Sequence, residues 1–387
     1  MSYPLAGIKV LDMSRVLAGP FAGRMLCDLG ADVIKLEPPE GDVTRFFGRK
    51  VGNISGYYHQ QNAGKRNISV NLNDPAGVDI VKSLVTKADV LIENFRPDVM
   101  GRLGLSYETL AEINPRLIML SISGFGANNP DSRRAAYAPI VHAEIGLVAR
   151  QAEITGAHPA ELPLSVADTN AAMHGLIGML AALYAREHTG LGDYLEISMV
   201  DATLVTNDGL HAALENVKVV DSNEVHETRA GYLMLAGDFK FIWKQLSEVC
   251  GVQDGLQGLS SVLLEAKIGA RRAAAKKFFM ETCSTRDDVI TALDDMNIAW
   301  GDVRSTADVG DLACVQARES IVQIDDRSGG TRSIPQSPYR FRRNQSNVRQ
   351  GAPHLGEHNE EILAQWLGWT SADIDKVSSA LVTGFVK

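Results

Sequence analysis

Short apolar runs and helical stretches alternate along the first third of the chain. The strand-like runs lie at 7–12, 31–37, 65–72, 89–93 and 117–122, and the helical stretches at 21–29, 74–87 and 106–114. Strands that alternate with helices favour a parallel sheet covered by helices. We therefore predict a doubly wound, Rossmann-like α/β sheet, in which ligands bind at the carboxyl ends of the strands.

The pattern changes near residue 227 and returns after about residue 330. Helices are predicted at 241–250 and within 265–283, and a strand at 297–300. Gly329, Gly330, Pro335 and Pro338 are typical of a connecting segment. We predict a large domain formed by residues 1–224 and 331–387, and a smaller α+β domain formed by residues 225–330.

A long helix follows Asp168, and apolar positions cover most of its surface. Met173, Ile177, Leu180 and Tyr184 follow helical spacing, and Leu176, Met179 and Leu183 fill the gaps between them. This distribution predicts a helix that is buried nearly all round. Gly190 stands where a left-handed C-cap is expected.

Asp168 stands directly before this helix, which predicts an N-cap residue. A carboxylate at the positive end of a helix has two interpretations. It stabilises the helix as a cap, or it serves as an ionised nucleophile that forms an acyl intermediate. The local pattern leaves both interpretations open.

Composition and charge narrow the class of protein. The 387 residues are 45% hydrophobic and 22% charged, with a formal net charge of −9. This acidic balance argues against nucleic acid or an anionic membrane as the main partner. Cys27, Cys250, Cys283 and Cys314 show no metal-type spacing, and no signal sequence or membrane-spanning run occurs. We expect a soluble cytoplasmic protein that holds no metal.

Several common chemistries lack their sequence signatures. The segment 17–23 is not the Gly-rich fingerprint of dinucleotide-binding proteins, and no phosphate-binding loop with Gly-Lys-Ser/Thr is present. His142 and Glu144 have the spacing that begins a zinc deaminase motif, but the cysteine half is absent. His174 lies six residues after Asp168, about 240° round the helix, and is therefore predicted to be a core or interface residue.

Several motifs resemble those of one enzyme family. The run Asp168-Thr169-Asn170, the helix of small residues after it, and the segments 181–186 and 189–192 resemble the active-site segment of the class III CoA-transferases, the formyl-CoA and carnitine CoA-transferase type. The GIKVLD run at 7–12, the GADVIKLE run at 30–37 and the HLGEHN run at 354–359 are similar to the same family. The resemblance extends over most of the chain.

The resemblance implies a function and a set of site residues. Asp168 is expected to be the acyl-accepting nucleophile of an enzyme that moves CoA from an acyl-CoA to a free carboxylic acid. Residues that match the CoA-binding stretches of the family are Val16, Asn71, Leu72, Asn73, Asn94, Phe95, Arg96, Arg102 and Tyr137. The resemblance also implies acyl-CoA and a small carboxylic acid as substrates, no permanently bound cofactor, and an interlocked homodimer.

Elementary chemistry adds further candidates. Arg15, like Arg96 and Arg102, offers a guanidinium that matches the phosphate oxygens of CoA. Donors for the developing oxyanions are expected near Gly124 and Gly126 or in the loop of the middle region.

Departures from the family pattern keep two alternatives open. Pro38 replaces an arginine of many relatives, Ala138 replaces an acidic residue, and Leu17 replaces a glutamine of the formyl-CoA enzymes. One alternative is an α-methylacyl-CoA racemase, which shares the fold but carries a histidine where this chain has Tyr137. The other alternative is a CoA-binding protein without catalysis.

Overall fold

The fold is described from a computed structural model that covers residues 2–217, 224–256 and 262–381. The strands are β1 (Lys9–Asp12), β2 (Asp32–Glu37), β3 (Lys50–Val51), β4 (Ile54–Ser55), β5 (Arg66–Ser69), β6 (Val90–Glu93), β7 (Ile118–Ser123), β8 (Asp193–Ser198), β9 (Glu224–Thr228), β10 (Gly231–Ala236), β11 (Ala299–Asp302), β12 (Ile321–Asp325) and β13 (Thr331–Pro335).

The α-helices follow the same chain order. They are α1 (Ala18–Asp28), α2 (Gly56–Asn62), α3 (Pro75–Val85), α4 (Val99–Arg102), α5 (Tyr107–Ile113), α6 (Ala138–Glu144), α7 (Leu147–Thr155), α8 (Val166–Thr189), α9 (Met199–Thr206), α10 (Leu210–Leu214), α11 (Phe239–Glu248), α12 (Leu264–Lys277), α13 (Arg286–Met296), α14 (Ala313–Ala317), α15 (Asn359–Leu367) and α16 (Ser371–Lys376). No helix within the described ranges has the length and apolar character that crossing a bilayer needs.

A six-stranded parallel sheet forms the centre of the first unit. Its strand order is β5-β2-β1-β6-β7-β8, and every neighbouring pair is parallel. The chain first winds from β1 toward β5 and then returns to β6 on the other side of β1. The prediction of a parallel α/β sheet is confirmed, and the order reverses between β1 and β6.

Alternate residues of each strand face opposite layers of helices. Val10 and Ile92 pack in one apolar cluster with residues of α1, α6 and α8, such as Leu176. Leu11 and Leu91 pack in a second cluster with residues of α3, α5 and α15. Because side chains alternate along a strand, the continuous apolar runs seen in the sequence supply both faces of the sheet.

The chain divides into two compact units, Met1–Leu210 with Cys314–Lys387, and His211–Ala313. The second unit contains the antiparallel sheet β11-β10-β9 and helices α11 to α13, with a core that includes Leu235, Leu246 and Phe279. Its limits differ from the predicted 225–330.

The predicted small domain extends to residue 330, whereas the β12–β13 hairpin belongs to the first unit. Ile324 and Ile334 of this hairpin pack with Ala63 and Val348. The segment that the sequence suggested as a linker is therefore anchored by an apolar contact with the large unit.

Helix α8 is not buried all round, contrary to the prediction. Met173, Ile177, Leu180 and Tyr184 are exposed to between 36% and 72%, whereas Met179 on another face is fully buried. One face packs on the sheet, where Gly175 and Gly178 approach Leu120 and Leu195 closely. The opposite face is an apolar stripe on the surface of the chain.

Candidate active site

A cavity of about 400 Å³ lies at the carboxyl edge of the parallel sheet, where the strand order reverses. The carboxyl ends of β1, β6 and β7 contribute to its wall, which is the place where doubly wound sheets bind ligands. Its lining includes one carboxylate, Asp168, and four arginines, Arg15, Arg96, Arg102 and Arg134.

Asp168 is held by main-chain amides at the beginnings of two other helices. It is the third residue of α8 and is 6% exposed. Its carboxylate accepts hydrogen bonds from the N–H groups of Ala138 and Ala18, the first residues of α6 and α1. Burial raises the pKa of Asp168 to about 6, and the two hydrogen bonds oppose this increase. The carboxylate makes no ion pair with any described residue.

Asp168 is not the N-cap of α8, as the sequence suggested. The helix begins at Val166, and the side chain of Ser165 makes no capping hydrogen bond. Instead the N–H of Ala167 donates to Nε2 of His142, at 3.1 Å. A side chain from α6 thus satisfies this first-turn amide, and the Asp168 carboxylate accepts from α1 and α6 at the wall of the cavity.

Most of the residues predicted to bind CoA lie around the same cavity. Its lining contains Val16, Asn94, Phe95, Arg96, Arg102 and Tyr137 together with Asp168. Five of these residues come from the loops after β1, after β6 and before α6, and Arg102 is the last residue of α4. Their roles in binding remain predictions, but they share one surface with the candidate nucleophile.

The turn Asn71–Asn73 lies elsewhere on the carboxyl edge of the sheet. It follows β5, three strands away from β6, and contributes no residue to the cavity lining. The N–H of Asn71 donates to the Ala380 carbonyl at 2.9 Å, and Leu72 packs against an apolar cluster. Its role in CoA binding also remains a prediction.

The arginines of the cavity differ in their partners. Nε of Arg102 lies 3.1 Å from Asp98, with both side chains largely exposed, and Arg134 pairs with Asp131 and Glu144. Within the described part of the chain, Arg15 and Arg96 form no ion pair. Among the described residues, four guanidinium groups and a single carboxylate line the cavity and give it a positive character, which suits a phosphorylated ligand.

Two groups near the site were not singled out from the sequence. Burial raises the pKa of the Tyr57 hydroxyl to about 12, and the charges of Asp168 and Asp42 contribute to the increase. Burial likewise raises the pKa of Glu93 to about 7, although its carboxyl accepts hydrogen bonds from Ser121 and from the Phe95 N–H. Glu93 was visible as an acidic residue that ends a strand, whereas no local pattern indicated Tyr57.

The expected oxyanion donors are only partly consistent with the geometry. Gly124 lines the cavity, but the N–H of Gly126 already donates to Oγ of Ser123 at 3.1 Å. The main-chain donors that reach Asp168 belong to Ala18 and Ala138. Sequence analysis missed both because they become neighbours of Asp168 only in the folded chain.

Comparison with known proteins gives a consistent assignment. The family model described as CoA-transferase family III matches residues 5–359. A succinate–glutarate CoA-transferase of Agrobacterium fabrum is 31% identical, over 94% of this chain and 95% of that protein. A formyl-CoA:oxalate CoA-transferase of Streptomyces coelicolor is 30% identical, over 97% of this chain and 98% of that protein.

A solved structure shares the fold of this chain. A crystal structure of a CaiB/BaiF family protein from Brucella suis superposes with a TM-score of 0.80 at 29% identity. The match covers 95% of this chain and all of the other. Because the family model and the relatives match nearly the whole length, the chain belongs to CoA-transferase family III and is an enzyme that transfers CoA.

Proposed function

We propose that this enzyme moves CoA from an acyl-CoA to a free carboxylic acid by covalent catalysis at Asp168. The observation that carries the proposal is the surrounding of this carboxylate. Asp168 borders a cavity of about 400 Å³, accepts hydrogen bonds from two main-chain amides and makes no ion pair with any described residue. A carboxylate of this kind is a nucleophile that an acyl group is able to reach.

The first half of the reaction transfers the acyl group and then CoA to the enzyme. An oxygen of Asp168 attacks the thioester carbonyl carbon, the C–S bond breaks, and CoA leaves as a thiolate. The thiolate attacks Cγ of the mixed anhydride, which releases the first carboxylic acid and leaves an aspartyl-CoA thioester. A carboxylate suits this work because its anhydride and thioester keep the acyl group activated.

The second half reverses these steps with the acceptor acid. The acceptor carboxylate attacks Cγ of the aspartyl-CoA, the C–S bond breaks, and a second anhydride forms. The thiolate then attacks the carbonyl carbon of the acceptor, and Asp168 leaves as a carboxylate. The new acyl-CoA departs, and the enzyme returns to its starting state.

The amides of Ala18 and Ala138 are the proposed oxyanion donors for attack at Cγ of Asp168. They already donate to the carboxylate. Both are the first residues of helices, where amide groups lack intrahelical partners. Donors aimed at the oxygen that gains charge are worth about 10²–10³ in rate for each hydrogen bond.

The proposed acceptor is a small dicarboxylic acid. The relatives named above are a succinate–glutarate and a formyl-CoA:oxalate CoA-transferase, and these acids have two carboxyl groups. An acceptor with a second carboxylate needs a cation in addition to those that bind the CoA phosphates. Arg15 and Arg96, which make no ion pair within the described residues, are candidates for these two tasks.

Trapping the intermediate tests the proposal. The wild-type enzyme is incubated with an acyl-CoA, treated with hydroxylamine, and digested for mass spectrometry. A hydroxamate on Asp168 is the expected result, and Asp168→Asn is the control that must remain unlabelled. Exchange of the α-proton of the acyl group for deuterium, with no label on the enzyme, would establish the racemase alternative instead. CoA transfer at an undiminished rate with neither result would exclude Asp168 as the acyl carrier.

A homodimer is part of the proposal. The exposed stripe on α8 consists of Met173, Ile177, Leu180 and Tyr184. Contiguous apolar surface of this kind marks an interaction site, and a second copy of the chain is the partner that the family resemblance implies. Sedimentation of the wild-type protein and of Ile177→Glu tests this point, since the substitution introduces a charge into the stripe. A wild-type monomer would contradict it.

A further inference from the structure

The turn Arg15–Val16 has an unfavourable backbone conformation at the wall of the cavity. Val16 has a φ of +68°, in the left-handed region. A β-branched residue is a true outlier there, because its Cβ substituents crowd the following carbonyl. Such conformations persist only where the surrounding structure enforces them, and they cluster at functional sites. Ala18, which donates to Asp168, follows two residues later.

The side chain of Asn94 holds Arg15 on both sides of its backbone. Oδ1 of Asn94 accepts from the Arg15 N–H at 2.8 Å, and Nδ2 donates to the Arg15 carbonyl at 2.8 Å. This pair of bonds joins the loops that follow β1 and β6, at the point where the strand order reverses. Both amide atoms of Asn94 are therefore already used by main-chain partners.

Asp42 holds the next amide of the same turn. Its Oδ2 accepts from the Val16 N–H at 3.0 Å, and its Oδ1 accepts from Thr44 N–H and hydroxyl groups at 2.9 and 2.8 Å. Asp42 is 3% exposed, and Nζ of Lys35 lies 3.6 Å from Oδ2. Lys35 also donates to the Ser14 carbonyl. The buried charged groups of Asp42 and Lys35 therefore both bind the main chain at this turn.

We infer that Asn94 and Asp42 are positioning residues, which hold the strained Arg15–Val16 turn so that the Ala18 amide stays directed at Asp168. The inference rests on the proposed role of Asp168 as acyl acceptor. It assigns Asn94 a task different from the CoA binding that its place in the cavity suggests. The hydrogen bonds of Asn94 and Asp42 to the turn, here called the clamp, affect the rate of acyl transfer. Displacement of a catalytic donor by about 1 Å lowers the rate about 10²-fold.

A positioning role and a CoA-binding role of Asn94 predict different kinetic effects of Asn94→Ala. Loss of the clamp should lower kcat, and the rate of hydroxamate formation on Asp168, by about 10²-fold. The dissociation constant for CoA, measured by titration calorimetry, should change less than about threefold, since no side-chain contact to CoA is removed. A residue that binds CoA would instead raise the dissociation constant and leave kcat nearly intact.

Relief of the backbone strain provides a second readout. Glycine adopts a positive φ without a Cβ penalty. In the double variant Asn94→Ala with Val16→Gly, the turn should therefore keep its conformation with fewer hydrogen bonds from neighbouring side chains. We expect the double variant to recover part of the kcat that Asn94→Ala loses. A purely structural contribution of Asn94 would give no such recovery.

Asn114 offers a matched control at the opposite edge of the sheet. Its Nδ2 donates to the carbonyls of Val85 and Ala88 at 2.9 and 2.8 Å, and its Oδ1 accepts from the Arg116 N–H at 3.0 Å. Asn114→Ala removes bonds of the same kind far from the cavity. It should lower the free energy of unfolding as much as Asn94→Ala does, and leave kcat unchanged.

Three results would overturn the inference. They are a labelling rate for Asn94→Ala equal to that of the wild type, a raised dissociation constant with kcat preserved, and equal losses of kcat for Asn94→Ala and Asn114→Ala. Failure of the wild-type enzyme to form any hydroxamate would instead overturn the proposed function. The two failures are therefore distinguishable in one set of measurements.

Discussion

Two regions at the same edge of the sheet shift the pKa of a buried carboxylate in opposite directions. At the end of β1, Asp12 lies 2.7 Å from Nζ of Lys65 and 4.0 Å from Nζ of Lys35, and all three are fully buried. Burial alone would raise the pKa of Asp12, but the two ammonium groups hold it below its usual value. Asp168, which lines the cavity at this edge, has amide donors and a raised pKa.

The difference is consistent with the covalent role proposed for Asp168, whereas Asp12 takes part in no step of the proposed reaction. A carboxylate that becomes an anhydride or a thioester loses its charge. A buried ammonium partner would then be left uncompensated, which costs several kcal/mol. Main-chain amides carry no net charge, so no unpaired charge remains when the carboxylate becomes a neutral acyl group, although their hydrogen bonds to a carbonyl oxygen are weaker. The surroundings of Asp12 thus suit a carboxylate that stays ionised. The surroundings of Asp168 suit a carboxylate that loses its charge during the proposed reaction and regains it at the end.

Asp168→Asn should have the largest effect on activity. Removal of a covalent nucleophile lowers turnover by about 10⁴-fold or more. The free energy of unfolding should stay unchanged or increase, because the variant no longer buries an ionised group without a cation. Turnover assays and urea denaturation of the same preparations measure both quantities. Turnover at the wild-type rate would exclude Asp168 as the acyl carrier.

Asp12→Asn should have the opposite profile. It leaves Lys65 and Lys35 buried without their shared carboxylate, and breaking a buried pair in this way costs about 3–5 kcal/mol. Urea denaturation should therefore show a large loss of stability, while the chemistry of the folded fraction continues. A loss no greater than that of Asp168→Asn would remove the contrast between the two regions.

The raised pKa of Asp168 should make both the activity and the stability of the enzyme depend on pH. Asp168 must be ionised to attack, so kcat/KM should fall about tenfold per pH unit below the pKa of about 6. The group binds a proton more tightly in the folded state than in the unfolded state. The stability of the wild type should therefore fall as the pH rises from about 4 to about 6.

Asp168→Asn is the reference for this measurement, because it lacks the titrating group. The difference in unfolding free energy between the variant and the wild type should grow over the same pH interval and then level off. A difference that is independent of pH would mean that the folded state does not raise the pKa of Asp168.

The smallest expected effect concerns the cations of the cavity. Arg102 is exposed and pairs with Asp98, so its net contribution to binding is about 1 kcal/mol, or about fivefold in affinity. Arg102→Ala should raise KM for acyl-CoA by that factor and leave kcat unchanged. Arg133→Ala, at an exposed arginine outside the cavity lining, is the control. Equal values for the two variants would mean that Arg102 does not contact the substrate.

Local sequence signals predicted several details of the large unit correctly. Asp74 and Ser106 precede helices and accept hydrogen bonds from their first turns, and Gly190 ends α8 with a φ of +74°. Capping depends on residues that are close in the chain, and the apolar runs of the strands depend on burial alone. The same reasoning wrongly predicted that α8 is buried on all sides. The apolar character of a residue does not show whether a surface of the same chain covers it.

The sequence by itself determined the alternation of strands and helices and the kind of sheet that they form, and its resemblance to a known family singled out Asp168 as the candidate nucleophile. Only the tertiary structure decided that Ala18 and Ala138 donate to Asp168, and that Asn94 and Asp42 hold the strained turn at Val16. The physical reason is that these hydrogen bonds join loops that are distant in the chain. Their geometry is fixed by the packing of whole strands and helices, which no local pattern contains.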